Sequence, residues 1–212
     1  MKNLKNKVLV LGSTGMIGHQ VVNYLLNYSD YEIHDISYRS KLRINTIILD
    51  VTDKKLLCRT IIDLKPDYIV NCIGDLVEVN PNYERAIYLN SLLPHILKKI
   101  SKEVGAKLIH ISTDCVFSGK IGGYAELDDR DGIGLYAETK KSGEIIDESN
   151  LTLRSSIIGP ELKSSGKGLF QWFITQDSDV QGYTNSIWSG VTTIELAKAI
   201  KWAIDFEITG LY

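Results

Sequence analysis

Apolar and polar positions alternate along this chain with two different periods. Short continuous apolar runs occur at 7–11 (KVLVL), 46–49 (TIIL), 68–72 (YIVNC) and 107–112 (KLIHIS). Runs of this length with no polar alternation suit strands covered on both faces, as in a parallel sheet. A further strand is expected over 32–38, ending near Arg39. Between the strands the apolar positions recur every three to four residues, as at Ile17, Val21, Val22, Leu25 and Leu26. That spacing predicts helices with one face on the sheet. The helix ending near Leu64 has Thr52 or Asp53 as its natural N-cap. The stretch 83–104 reads as helix interrupted by Pro94, with Asn90 just before the break and Gly105 as its stop. A sixth strand is expected over 151–158 (LTLRSSII), a short helix over 169–176 and an amphipathic helix over 192–203. The alternation βαβαβαβαβ predicts an α/β fold with a doubly wound parallel sheet.

Composition narrows the function classes. With 24 basic and 26 acidic residues, the net charge of -2 carries no basic footprint for nucleic acid. No apolar run approaches the ~18 residues of a membrane span, and the basic start MKNLKNK leads into too short a run for a signal peptide. A cytoplasmic protein is expected. Cys58, Cys72 and Cys115 form no C-x-x-C pair, which argues against a disulfide framework and a structural zinc site. No metal site is expected.

Candidate chemistry lies in two stretches. The first strand runs into GSTGMIG, with Gly12, Gly15 and Gly18, and then into a helix. Strand, glycine turn and helix together form the dinucleotide-binding context, although the spacing is G-x-x-G-x-x-G. The turn would seat a pyrophosphate on the helix N-terminus, and Gly18 would let helix and strand approach. At the end of the second strand Arg39 either suits a 2′-phosphate, favouring NADP(H) over NAD(H), or is an exposed loop cation. Asp35 is the competing choice, as an acid for a ribose diol. Asp50 stands at the end of the third strand, where an adenine would lie, or it helps to start the next helix. Ile73-Gly74 would let the backbone pass close to a cofactor. The second stretch is HISTDCVF…YAETK. Tyr136 and Lys140, four residues apart, share a helix face. A Lys ammonium beside a Tyr hydroxyl favours the phenolate and gives a proton donor or acceptor. Thr113, just past a strand end, could add a hydroxyl to the same cleft. The alternative for this pair is an ordinary helix face with a solvated Lys.

With GSTGMIG, NCIG, HISTDCVF, Asn90 and YAETK in this order, the chain resembles the extended short-chain dehydrogenase/reductases over essentially its whole length. STDCVFSG, YAE and LYAETKKSGE resemble the dTDP-4-dehydrorhamnose reductase group within them. The resemblance implies a Rossmann-like sheet and NAD(P)H-dependent reduction of the C4 ketone of a nucleotide-linked 4-keto-6-deoxysugar, a step of sugar-nucleotide and polysaccharide biosynthesis. It implies Tyr136 as proton donor, Lys140 as the group that lowers its pKa and holds a nicotinamide ribose hydroxyl, and Thr113 as a hydrogen-bonding partner of the substrate carbonyl. Gly12, Thr14, Gly15, Met16 and Ile17 would line the pyrophosphate. Asp50 and Val51 would line the adenine, and Cys72, Ile73 and Gly74 the ribose side. Cys115, Val116 and Trp188 fall on the sugar side. The implied partner is a nucleotide-linked deoxysugar, with a homodimer as a further expectation.

Three departures from the pattern matter. Thr113-Asp114 is followed by Cys115 where dehydratase relatives have an acid, which disfavours a dehydratase. Rhamnose reductases usually carry Tyr there, and Cys115 instead resembles the GDP-fucose synthase arrangement, in which a Cys works with a His as an epimerase. All four histidines precede Cys115, so Lys167 would have to be the acid, or Cys115 is simply a buried thiol. Ile157-Ile158 stand where rhamnose reductases tend to have a Trp against the sugar. The expected division is a cofactor-binding part at 1–158 and a partial substrate lobe at 159–212, interleaved with the sheet and shorter than in relatives. A non-catalytic NADP-binding subunit of a partner enzyme is the competing function.

Overall fold

The computed structural model describes residues 5–76, 82–163, 166 and 168–212. Its centre is a seven-stranded, all-parallel sheet in the order β3-β2-β1-β4-β5-β6-β9. The strands are β1 (Lys7–Leu11), β2 (Glu32–Ser37), β3 (Ile47–Ile48), β4 (Tyr68–Asn71), β5 (Lys107–Ile111), β6 (Leu151–Leu153) and β9 (Gly210–Leu211).

Both faces of the sheet are covered, and this is why the strands read as continuous apolar runs. Successive residues of a strand point to opposite faces. Val8 and Val10 meet α1 (Met16–Tyr28) and α7 (Thr193–Asp205) through Val21, Leu25, Leu196 and Ile200. Leu9 and Leu11 meet α2 (Lys54–Leu64) and α4 (Leu93–Val104) through Leu57, Ile61, Leu93 and Leu97. Asp53 caps α2 by accepting the Leu56 N–H, and Gly105 ends α4 in the left-handed region, both as the sequence predicts. Between α3 (Tyr83–Ala86) and α4 the chain forms one π-helical stretch, Ile87–Leu92, with Pro94 in the first turn that follows.

The expected strand over 151–158 is two strands. β6 belongs to the central sheet, whereas β7 (Ile157–Ile158) pairs with β8 (Val191–Thr192) in a separate two-stranded sheet. The chain turns away at Arg154, whose guanidinium is drawn to the buried carboxylate of Glu144. Beyond β7 come α6 (Leu169–Ile174), β8, α7 and β9. α7 packs into the core beside α1, and β9 extends the central sheet next to β6. The C-terminal portion therefore completes the core of the central sheet as well as contributing to the β7–β8 side. Among the described residues no helix is long and apolar enough to cross a membrane.

Candidate active site

The strand order reverses between β1 and β4, the position at which open α/β sheets hold ligands beyond the strand ends. A cleft of about 460 Å³ opens there. Gly12, Thr14 and Gly15 form its floor, Asp50 and Val51 one end, and Cys72, Ile73 and Gly74 the wall after β4. α1 starts beneath it with no side-chain cap and no acidic residue in its first turn. Its first N–H groups are thus left to a ligand, and an anion is the ligand they favour. His19 Nδ1 donates to the Gly15 carbonyl at 2.8 Å and fastens the turn to the helix. A Cβ at Gly18 would lie 2.1 Å from the Gly12 carbonyl oxygen. Gly18→Ala is therefore expected to lower stability by about 1–3 kcal/mol, read as an earlier urea midpoint. An unchanged midpoint would refute the close approach.

Beside the cleft, on the Gly74 side, the segment after β5 carries Thr113, and α5 (Leu135–Gly143) carries Tyr136 and Lys140. Thr113 caps a single 3-10 turn, Asp114–Val116, its hydroxyl accepting the Cys115 N–H at 3.1 Å. The Tyr136 hydroxyl stands near enough to Thr113 for that side chain to act on its proton affinity. Burial pushes the Tyr136 pKa up, Thr113 opposes that shift, and Cys115 and Asp114 add to it. The expectation that Lys140 favours the Tyr136 phenolate is not met. Lys140 is 3% exposed and its Nζ donates to the Ile111 carbonyl at 2.8 Å. Desolvation lowers its pKa to about 8, against the pull of Glu144 and Cys72. Tyr136 is thus held in its protonated form, and Lys140 stays mainly charged at neutral pH. A Cβ on Gly74 would stand 4.0 Å from Lys140 Nζ and 3.7 Å from Asn90 Oδ1, so the missing side chain leaves room beside the ammonium.

Glu144 was not anticipated from the sequence. It lies four residues beyond Lys140, with its side chain fully buried. Arg154 grips both carboxylate oxygens at 2.8 Å, Arg130 donates to one at 2.8 Å, and Ser112 to the other at 2.8 Å. The Tyr136, Lys140, Glu144 spacing of four is the signal that could have disclosed it.

A family model described as the RmlD substrate binding domain matches residues 6–156, well over half of the chain. The chain belongs to the RmlD substrate-binding domain family. Methionine adenosyltransferase 2 subunit beta of Xenopus laevis is 32% identical over 142 residues, 65% of this chain and 41% of that protein. The dTDP-4-dehydrorhamnose reductase of Shigella flexneri is 30% identical over 145 residues, 65% of this chain and 45% of that protein. The chain thus spans less than half the length of these curated relatives. Among solved structures, a Bacillus anthracis dTDP-4-dehydrorhamnose reductase in complex with NADP superposes with a TM-score of 0.82 at 24% identity, covering 100% of this chain and 75% of that one.

Within this RmlD-family frame several expected residues sit elsewhere. Asp35 is fully buried and paired with Arg43 Nε at 2.6 Å, so it is withdrawn from any ribose. Arg39 is exposed and lies over the Tyr38 ring, 4.6 Å from its centroid. Tyr38, not Arg39, lines the cleft. Met16 and Ile17 are half-buried at the start of α1, beneath the glycine turn rather than in the cleft lining. The Asp50 carboxylate accepts both the Thr52 N–H and its hydroxyl, an N-terminal turn placed at the cleft edge. Val116 is fully buried, its apolar side chain drawn into the interior, so the expected sugar contact is corrected. Trp188 is half exposed and packs on Gly190, next to Ser156 on the β7–β8 side. Cys115 is exposed and within electrostatic reach of Tyr136. The four histidines bond to Gly15, Glu32, Ser142 and Asn71, and none serves Cys115. Lys167 lies outside the described residues.

Proposed function

We propose that this chain binds NADPH in the β1–β4 cleft and reduces the C4 ketone of a nucleotide-linked 4-keto-6-deoxysugar. The observation that carries the reading is the half-buried Tyr136, kept protonated by desolvation and set near Thr113, next to a cleft floored by a glycine turn. The uncapped start of α1, the close approach at Gly18 and the space left by Gly74 all suit a dinucleotide. A reduced nicotinamide bound there supplies the hydride. Thr113 and Tyr136 hold the ketone oxygen between them, and Tyr136 gives that oxygen its proton as the carbonyl becomes an alcohol. Lys140, charged at neutral pH, places a positive charge behind the site, and the tyrosinate left by the transfer takes its proton back from solvent. Tyr38 with Arg39 stacked on it, and the withdrawal of Asp35, support NADPH over NADH.

The test is a panel of nucleotide-linked 4-ketosugars assayed with NADPH and with NADH. Oxidation of NADPH dependent on one such sugar is expected; no oxidation with any ketosugar sinks the reductase reading. A second reading is favoured by the Xenopus relative, which is named as a subunit of another enzyme. In it the chain binds the dinucleotide and serves a catalytic partner without turnover. Tight NADPH binding with no ketosugar turnover and a co-purifying catalytic subunit would favour it.

A further inference from the structure

Two cations line the cleft from opposite sides. Arg85 reaches it from α3, after β4, and Lys163 from the segment after β7. That segment is packed beside α1, where a Cβ on Gly168 would touch Met16 Sδ at 3.6 Å. The glycine turn of Gly12, Thr14 and Gly15 lies in the same cleft as both cations.

Arg85 is held in place by a chain of contacts that begins in the π-helix. Asn90 is fully buried there, and its amide grips the backbone of Asp75 at both ends. Asn90 Oδ1 accepts the Asp75 N–H at 2.7 Å, and Asn90 Nδ2 donates to the Asp75 carbonyl at 2.9 Å. The Asp75 carboxylate pairs with Arg85 Nε at 3.0 Å. A π-helical turn is an uncommon element that tends to occur at functional sites. Here the wider turn carries the side chain that fixes the exit of β4, and through Asp75 it fixes a guanidinium at the cleft. The remaining N–H donors of Arg85 are those suited to phosphate oxygens.

We propose that Arg85 and Lys163 form a two-sided clamp on the bridging diphosphate of the dinucleotide, with Asp75 and Asn90 as positioning residues for Arg85. The inference rests on the dinucleotide reading of the cleft. The charge count supports the bridging diphosphate as the target. That group carries two negative charges, while the glycine turn offers only N–H dipoles. Two cations from opposite walls supply the matching charge. The 2′-phosphate has its own candidate at the rim in Arg39, stacked on Tyr38. Because Lys163 follows β7, the clamp also ties cofactor occupancy to the segment that leads into the β7–β8 side.

The experiment is a set of dissociation constants for NADPH and for NADH, measured with the parent protein, Arg85→Gln and Lys163→Gln. Arg85 is more than half exposed, so its replacement leaves the fold intact, and circular dichroism checks this. Each variant is expected to weaken both cofactors by about tenfold and by the same factor, because both carry the bridging diphosphate. Asp75→Asn is expected to weaken both by a smaller factor. Constants within twofold of the parent for both variants overturn the clamp. A loss confined to NADPH also overturns it, since that places the cations at the 2′-phosphate. A parent protein that binds neither cofactor overturns the dinucleotide reading itself, and the clamp with it.

Discussion

Tyr136→Phe is expected to lower ketosugar reduction by about 10²–10⁴-fold, the range of a lost general acid. Cofactor binding should be nearly unchanged, because Tyr136 does not line the cleft that holds Gly12, Thr14 and Gly15. The ring stays, so the half-buried packing of α5 on the 3-10 turn stays with it. Only the hydroxyl that is kept protonated by burial is removed. A kcat within threefold of the parent would remove Tyr136 from the reaction. The pH profile gives an independent check with a definite sign. Lys140, brought down to about 8 by desolvation, carries its charge below that value and loses it as pH rises through it. Tyr136 is shifted the other way and remains a proton donor over the same range. The ketosugar reduction proposed for the parent protein should therefore fall along an alkaline limb near pH 8, set by Lys140. In Lys140→Met that limb should be absent from the residual rate.

The legible parts of this fold are those governed by local period. KVLVL and YIVNC read as buried strands because helices cover both faces of the sheet, so neither face needed a polar residue. The strand, turn and helix around GSTGMIG were legible because the strand before it and the helix after it are both set by local sequence. The residues between 151 and 158 misled for the opposite reason. LTLRSSII has the propensity of one strand, and the contact at its break, Arg154 with Glu144, is a tertiary ion pair that no local period displays. Asp35 was misjudged in the same way, since the arginine that claims it is eight residues away and reaches it only through the folded loop. The π-helical geometry at Ile87–Leu92 has no period of its own that a sequence pattern displays. The spacing of Tyr136 and Lys140 was visible, but the direction of the Tyr136 shift was not. Spacing places the two side chains on one face, whereas burial sets the proton affinity.

Glu144→Gln is expected to destabilise the protein by about 3–5 kcal/mol, the usual cost of removing one partner of a buried ion pair. The carboxylate is fully buried and Arg154 is only 6% exposed, so the loss strands a cation with little access to water. Arg130 and Ser112 lose a charged acceptor as well. Four segments meet at this carboxylate: Ser112 precedes Thr113, Arg130 lies in the loop before α5, Arg154 follows β6, and Glu144 itself caps the helix that carries Tyr136 and Lys140. The variant should therefore lose reductase activity more steeply than cofactor affinity, as Thr113 and Tyr136 drift out of register. The pH dependence of stability follows from the same pair of effects. Burial alone would raise the Glu144 pKa, but the bonds from Arg154, Ser112 and Arg130 outweigh it and leave the value lowered from 4.5. A carboxylate with a depressed folded pKa contributes stability that is fully present above its unfolded value and is lost as pH falls through its folded value. The parent should lose stability progressively below about pH 4.5 through this group, and Glu144→Gln should show a shallower acid limb from a lower plateau. Urea midpoints across that range make the comparison. A plateau within 1 kcal/mol of the parent would mean that the two arginines find water or other acceptors, and that Glu144 is not the post on which the catalytic segments are aligned.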